Sequence, residues 1–237
     1  MEVAVLCGGA GTRLTNILGD TPKILAPIGE RKFIDFLFEY LRQQSGIDKV
    51  NWLLGVGAQE VQSYIEQHYL ESNFENTFII DKKIKSGNGA ALIEFANQLK
   101  TEDFICIFGD SLPTVSLKPI YLFFLTNNAN IGMTYIAKNL VSEKSNIDRS
   151  IDGLICYDAK GNIEFEYVDY GVTYFKTKYL METKFIDEKD LKNIISRSST
   201  DLELSGFEVF DPFIEIGTPN SYNTAKTKLK VRENGLY

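Results

Sequence analysis

The chain has 237 residues, 44% of them hydrophobic, which is enough to bury a sizeable core and fits one domain better than two. Its formal net charge is −7 at pH 7 and its lysines and arginines form no cluster, which argues against a nucleic-acid partner. No apolar run reaches the roughly 18 residues that span a bilayer and no basic leader precedes the first one, so we expect a cytoplasmic protein without a membrane partner.

Strand and helix patterns alternate through the first half of the chain. EVAVL (residues 2–6) predicts a buried strand, and KFIDFLFEYLRQ (32–43) has apolar side chains at helical spacing. The same alternation recurs three times, as VNWLLGV then AQEVQSYIEQHYL, TFIID then NGAALIEFANQL, and FICIF then LKPIYLFFLTN. Strands separated by such helices favour a parallel sheet with crossover connections. We therefore predict a doubly wound α/β layer of the nucleotide-binding type over residues 1–130.

The pattern changes after about residue 130. Shorter β segments follow, namely IGMTYIA (131–137), GLICY (153–157), IEFEYV (163–168) and GVTYF (171–175), before helical patterns return at EKDLKNIISR and TPNSYNTAKTKL. This predicts a mixed sheet laid against the first half, carrying a second ligand group. No linker or repeat interrupts the chain, so we predict a single domain over 1–237 with a second half at 131–237.

The cysteines and the single histidine offer no catalytic group. Cys7, Cys106 and Cys156 lie in apolar stretches without the paired spacing of a zinc site, and we expect reduced core residues. His68 falls late in an amphipathic helix, where a solvated or capping role is expected. Any mechanism must therefore work without histidine.

The segment LCGGAGTRL (6–14) places three glycines directly after the first strand. Parallel sheets bind ligands at this edge, and glycines there let backbone N–H groups approach phosphate oxygens. The dinucleotide fingerprint fails because Leu14 stands at its third glycine, and the P-loop pattern fails because the chain has no Gly-Lys pair. Arg13 within the segment and Lys23 after Pro22 favour a phosphate site over the alternative, an ordinary glycine turn.

LCGGAGTRL followed by TPKILAPI resembles the signature of the sugar-1-phosphate nucleotidylyltransferases, roughly G-G-x-G-T-R-L and a spaced P-K. Further segments resemble that family along nearly the whole chain: SGNGAAL (86–92), FGDS (108–111), EYVDYGVTYF (166–175) and PFIEIGTPNSY (212–222). The resemblance implies a Rossmann-like, doubly wound, mixed and mainly parallel sheet flanked by helices, with a smaller β region for the sugar.

The resemblance also implies roles for the matching positions. Arg13 would hold the departing pyrophosphate and Lys23 the α-phosphate. Asp169 and Gly171 would face the sugar phosphate, although a plain turn before a strand is the alternative. The remaining nucleotide-binding positions would be Leu6, Gly8, Gly9, Gly11 and Thr12 around the triphosphate, and Gly87, Asn88 and Gly89 around the base and ribose.

Two acidic residues are candidates for a magnesium site. Asp110 follows the apolar strand FICIF, and a carboxylate at a strand end can hold Mg²⁺ against phosphate oxygens. Glu215 stands where many family members carry aspartate, and its longer side chain can still bind Mg²⁺; an ordinary strand-end glutamate is the alternative. Asn88 and Ala90 also depart from the usual threonine and glycine of the base loop.

The activity that the resemblance implies joins a nucleoside triphosphate to a sugar 1-phosphate and releases pyrophosphate, for surface polysaccharide or glycoconjugate synthesis, and needs no protein nucleophile. The motifs are most similar to the heptose-1-phosphate guanylyltransferase branch, which favours GTP and a heptose or mannose 1-phosphate. An inactive regulatory or nucleotide-sugar-binding subunit is the alternative, disfavoured because Arg13, Lys23 and Asp110 are retained. An NAD-dependent oxidoreductase is a less favoured alternative, because the third glycine of the dinucleotide fingerprint is missing. The oligomeric state, a homo-oligomer included, stays open.

Overall fold

The computed structural model describes residues 1–8, 12–69, 71–81, 87–150 and 154–233. The strands are β1 (Glu2–Leu6), β2 (Pro27–Ile28), β3 (Arg31–Lys32), β4 (Lys49–Leu54), β5 (Glu75–Ile80), β6 (Asp103–Phe108), β7 (Ser111–Leu112), β8 (Ile131–Ala137), β9 (Ile147–Arg149), β10 (Ile155–Tyr157), β11 (Tyr167–Lys176), β12 (Leu204–Val209) and β13 (Ile214–Glu215). The α-helices are α1 (Thr15–Leu18), α2 (Phe33–Gln43), α3 (Ala58–His68), α4 (Asn88–Ala96), α5 (Leu117–Thr126), α6 (Thr177–Leu180), α7 (Leu191–Thr200) and α8 (Pro219–Glu233).

Within the described residues, nine of the strands form one mixed sheet. Its parallel part has the order β5-β4-β1-β6, and β11 then pairs antiparallel with β6. Next to β11 lies β8, antiparallel to it, and β12 follows parallel to β8. Strand β9 pairs antiparallel with β10, and its Ile147 pairs with Tyr167, the first residue of β11. The pairs β2–β3 and β7–β13 form two small separate sheets.

Helices cover both faces of the large sheet because its strands are apolar on both sides. Along β1, Val3 and Val5 pack with α2, α3 and α8, whereas Ala4 and Leu6 pack with α4 and α7. This is the alternation expected when successive side chains of a strand point to opposite faces and both faces are buried. The predicted α/β fold is therefore confirmed.

The second half is continuous with this sheet. We expected a mixed sheet laid against the first half, but β8, β11 and β12 extend the first-half sheet from the edge of β6. The separate strand predicted at IEFEYV was wrong, since residues 163–166 lie outside the strands and β11 runs unbroken from Tyr167 through GVTYF. Asn162 accounts for this: its side-chain oxygen accepts the Glu164 N–H at 3.0 Å and its carbonyl the Phe165 N–H at 3.1 Å, which makes a turn.

The cysteine prediction was correct in part. All three cysteines are free, with Cys106 buried and Cys7 half-buried. Cys156 is exposed, because the alternation in the short strand β10 turns Ile155 inward and its neighbour outward.

The solvated position predicted for His68 is confirmed. Its ring lies exposed at the end of α3, stacked on Tyr64 with 4.1 Å between ring centroids. Across the described part of the chain, no helix has both the length and the apolar character that crossing a membrane requires.

Candidate active site

The loops after β1 and β6 begin side by side. Leu6 pairs with Phe108 at the carboxyl ends of these strands, and the Gly109 N–H donates to the Leu6 carbonyl at 2.9 Å. A Cβ at Gly109 would lie 2.7 Å from the Cys7 Sγ, so the close approach of the two loops requires glycine. The chain places β4 and β5 on one side of β1 and β6 on the other. Open α/β sheets bind ligands at the carboxyl ends of the strands where the strand order reverses in this way.

An ion pair joins the two loops. Lys23 opens a short 3₁₀ helix whose next residues, Ile24 and Leu25, are buried and anchor it. The Lys23 Nζ donates to the Asp110 Oδ2 at 2.8 Å, and the two side chains are 20% and 33% exposed. An ammonium group has three N–H donors, so Lys23 can contact a phosphate while it stays close to Asp110.

A cleft of about 300 Å³ opens at this ion pair. We name it the cationic cleft, after Arg13 and Lys23, which both line it beside Asp110. The two predicted cations therefore face one cavity at the predicted edge of the sheet. Leu6, Gly8 and Asn88 also line it, whereas the predicted Gly9 and Gly11 lie outside the described residues, as does the side chain of Thr12.

A second cavity of about 290 Å³, the adjoining pocket, shares Leu6, Gly8 and Asn88 with the cationic cleft. Its remaining lining comes from the ends of β4 and β5 and from one side of α4: Leu53, Leu54, Gly55, Val56, Ile79, Asp81, Gly87, Ala91 and Glu94. Sequence analysis missed Asp81 and Glu94. The position of Asp81, directly after a buried strand pattern, is the signal that could have identified it.

The start of α4 is docked against the segment before α7. A Cβ at Gly87, which has φ +97°, would meet the Lys189 carbonyl oxygen at 2.1 Å, and one at Gly89 would meet the Asp190 carbonyl carbon at 2.8 Å. The Asn88 Oδ1 accepts the Leu191 N–H at 3.0 Å. Gly87 and Asn88 thus both line the adjoining pocket and pack against this segment, whereas Gly89 is buried under it.

Asp169 and Gly171 lie at the same edge of the sheet, because Val172 of β11 pairs with Ile107 of β6. The Asp169 Oδ1 accepts the Gly171 N–H at 2.8 Å, and Gly171 has φ +89°. The Asn146 Oδ1 accepts the Asp169 N–H at 2.9 Å, a contact with no signal in the sequence. Burial raises the pKa of Asp169 to about 6, although the Gly171 N–H and the positive charge of Lys192 oppose the shift.

The pair β7–β13 brings Glu215 close to the loop of Asp110, but Glu215 lines a neighbouring cavity with Glu143 and Ser221 and does not line the cationic cleft. It lies opposite Ser111, and the Ile216 N–H donates to the Asp110 carbonyl at 2.9 Å. Burial raises the pKa of Glu215; a hydrogen bond from Ser221 opposes the shift, and the carboxylates of Glu143 and Asp110 add to it. A partly buried carboxylate close to a second one is a common arrangement at cation sites.

A metal ion at this place would need ligands from the substrate. Among the residues that the structure describes, no group of three or more His, Cys, Asp or Glu side chains is arranged to hold one. Mg²⁺ commonly takes one or two carboxylates and completes its shell with phosphate oxygens and water. Asp110 and Glu215 fit that donor set.

Comparison with known proteins gives three findings. A family model described as Nucleotidyl transferase matches residues 3–146. D-glycero-alpha-D-manno-heptose 1-phosphate guanylyltransferases of Campylobacter jejuni and Aneurinibacillus thermoaerophilus are 28% and 25% identical, over 94% and 97% of this chain and 97% and 99% of their own length. The crystal structure of HddC from Yersinia pseudotuberculosis complexed with GMP-PN superposes with a TM-score of 0.79 at 23% identity, over 96% of this chain and 99% of that one, a likeness of fold.

The raised pKa of Asp169 predicts a pH dependence of stability. Its usual value is near 3.8, so the folded protein binds this proton more tightly than the unfolded chain. The free energy of unfolding therefore falls as the pH rises from about 4 to about 6 and stays lower above that range. Asp169→Asn keeps an oxygen for the Gly171 N–H and should raise the free energy of unfolding at pH 7 by about 1–3 kcal/mol, with little gain at pH 4.

Urea denaturation at pH 4 and pH 7 measures this difference. Asp187→Asn, which changes an exposed aspartate, is the matched control and should leave the pH dependence as in the wild type. An Asp169→Asn protein with the wild-type difference between the two pH values would contradict the argument.

Proposed function

Because the chain belongs to the nucleotidyl transferase family, we propose that it joins a nucleoside triphosphate to a sugar 1-phosphate, with release of pyrophosphate. The main support is the cationic cleft, which Arg13 and Lys23 line. It shares lining residues with the adjoining pocket, whose volume suits a nucleotide base. The two curated relatives, similar over nearly their whole length, are heptose 1-phosphate guanylyltransferases, which supports GTP and a heptose or mannose 1-phosphate as the substrates.

In this reaction a phosphate oxygen of the sugar 1-phosphate attacks the α-phosphorus of the triphosphate in line. A new P–O bond forms on one side while the bond from the α-phosphorus to the β-phosphate oxygen breaks on the other, and its electron pair leaves with pyrophosphate. Lys23 would stabilise the charge on the α-phosphate, and Arg13 would bind the leaving pyrophosphate. The protein therefore acts by positioning the two substrates and by neutralising the charge on their phosphates.

No side chain is needed as a nucleophile. Cys7 lines the cationic cleft, but burial, together with the charge of Asp110, raises the pKa of its thiol, which stays protonated. The oxygen of the sugar 1-phosphate is already ionised and needs no general base. A subunit that only binds a nucleotide needs cations for the phosphates, whereas Asp110 beside Lys23 adds the carboxylate that a metal-assisted transfer uses, so the transferase is the better supported proposal.

Magnesium is the proposed cofactor, held by Asp110 and Glu215 with phosphate oxygens of the nucleotide. Bound there, Mg²⁺ would neutralise charge on the phosphates. Lys23, which donates to the Asp110 Oδ2, has further N–H donors with which it would contact the α-phosphate.

A substrate screen tests the proposal. The purified protein with Mg²⁺ is incubated with each of GTP, ATP, UTP and CTP against mannose, heptose and glucose 1-phosphates, and pyrophosphate release is measured. We expect the highest kcat/KM for GTP with a manno-configured sugar 1-phosphate. Nucleotide binding without pyrophosphate release from any pair would instead favour the regulatory subunit.

Lys23→Ala should lower kcat by roughly 100- to 1,000-fold with a smaller change in KM, since the ammonium acts on charge that develops in the transition state. The matched control is Lys178→Ala, an exposed lysine in α6, which follows β11 at the opposite edge of the sheet. Steady-state kinetics of both variants measure the effect. A loss confined to KM would contradict the role given to Lys23.

Glu215→Gln should raise the Mg²⁺ concentration needed for half-maximal rate, because a neutral amide is a poorer ligand for a hard cation. Asp110→Asn should remove most activity for the same reason. Glu215→Asp is the control that keeps the charge, and it should retain activity at saturating Mg²⁺. If a Mg²⁺ titration of Glu215→Gln matched the wild type in rate and midpoint, Glu215 would not be a ligand.

A further inference from the structure

Tyr157, a half-buried residue of β10, lies on the same face of the sheet as Asp169. Ile147 of β9 pairs with Tyr157 on one side and with Tyr167 of β11 on the other, so these three side chains point the same way. Asp169 follows Tyr167 by two residues in the same strand and shares that face. Both tyrosines pack against the core that α4 and α7 cover, which is the side of the adjoining pocket.

Asp169 is also close to the cationic cleft. Its Oδ1 accepts the Gly171 N–H at 2.8 Å, and a Cβ at Gly171 would lie 3.2 Å from the Phe108 Cδ2. Phe108 lines the cleft. A group bound at Asp169 is therefore a near neighbour of phosphates held in the cleft.

Asn146 connects Tyr157 to Asp169. Its side-chain oxygen accepts the Asp169 N–H at 2.9 Å, which leaves its NH₂ group to donate elsewhere. Burial raises the pKa of Tyr157, and the carboxylates of Asp169 and Asp190 add to the shift. A hydrogen bond from the Asn146 side chain opposes it. The phenol is therefore protonated at neutral pH, with its oxygen next to the Asn146 amide.

Both groups have hydrogen-bonding capacity left for a ligand. Within the described residues, the Tyr157 O–H donates to no acceptor and no ion pair includes Asp169, although the charge of Lys192 acts on it. A carboxylate has about four acceptor sites, of which the Gly171 N–H uses one. Asp169 would repel a phosphate, so the part of a sugar 1-phosphate that suits it is a hydroxyl group.

A sugar hydroxyl fits the pair better than any other group of that substrate. It is both donor and acceptor, so it can donate to Asp169 while it accepts from Tyr157. A phosphate oxygen can only accept, and a deoxy position offers neither. A site built to bind a hydroxyl discriminates strongly against an analogue without it, because its own polar groups are then left unpaired.

We propose that Tyr157 selects the sugar by donating a hydrogen bond to the hydroxyl group that Asp169 binds. The inference rests on the proposed nucleotidyl transfer and adds a residue of β10 to its sugar site. Asn146 is the positioning residue, because it holds the backbone of Asp169 and the side chain of Tyr157. The groups that recognise the sugar are thus separate from Arg13 and Lys23, which contact the phosphates.

Steady-state kinetics of the wild type and of Tyr157→Phe, which removes only the hydroxyl, test this assignment. The substrates are the preferred pair from the substrate screen and the monodeoxy analogues of its sugar 1-phosphate. We expect kcat/KM for the complete sugar 1-phosphate to fall roughly 10- to 100-fold, with the KM of the triphosphate within about 2-fold of the wild type. For the analogue that lacks the bound hydroxyl, variant and wild type should agree within about 3-fold, because neither can form the bond.

Tyr121→Phe is the matched control. The Tyr121 hydroxyl donates to the Asp103 Oδ1 at 2.6 Å, a tyrosine–aspartate contact at the opposite edge of the sheet, and its loss should leave each kcat/KM as in the wild type. The ratio of kcat/KM values for two sugars is insensitive to the fraction of a variant that is folded.

Three results would each overturn the assignment: an unchanged kcat/KM in Tyr157→Phe, an equal loss for the complete sugar and all its analogues, or a change confined to the KM of the triphosphate. A wild type that releases no pyrophosphate from any substrate pair would instead refute the proposed function, and this assignment with it.

Discussion

The parallel pairing of β1 with β6 is the constraint on which the candidate site depends. It sets Leu6 beside Phe108, so the loops that leave the two strands start at one edge of the sheet. Lys23 and Asp110 are far apart in the sequence, and their ion pair is possible because each belongs to one of these loops. Side chains from more distant segments then join the same edge, Asp169 through the pairing of β11 with β6 and Glu215 through the pair β7–β13.

Strand ends explain most of what the sequence could predict. Asp110 closely follows the buried strand β6, Arg13 and Lys23 lie in the segment between β1 and β2, and motifs at matching spacing predicted all three. Asp81 follows such a strand too, but no motif includes it, so the same rule was not extended to it. Asn146 could not be found, since its side-chain oxygen accepts one hydrogen bond from the backbone N–H of Asp169, a residue distant in sequence.

Strand β12 was missed for a different reason. Its sequence, LSGFEV, has a glycine and a glutamate where a buried strand would be apolar. The structure gives the reason for Gly206: a Cβ there would lie 2.4 Å from the Ile155 Cδ1, so the side chain of a neighbouring strand occupies the space. A residue chosen for its tertiary neighbour weakens the local pattern, and no periodicity argument recovers it.

Asn88 connects the two halves of the chain. Its side-chain oxygen accepts the N–H of Leu191, which is one of the first-turn N–H groups of α7 that have no partner within the helix. The neighbouring Gly87 and Gly89 allow backbone contact with the same segment. The departure of Asn88 from the usual threonine of the base loop thus has a structural role, since it ties the start of α4 to the start of α7.

The contact between β7 and β13 has a consequence for the order in which the site forms during translation. Glu215 is synthesised long after Asp110. In the folded chain it pairs with Ser111, the residue after Asp110, and the Ile216 N–H donates to the Asp110 carbonyl. The four parallel strands β5-β4-β1-β6, with Lys23 and Asp110, leave the ribosome well before β13 does. A nascent chain can therefore bring Lys23 and Asp110 together before the strand that carries Glu215 emerges.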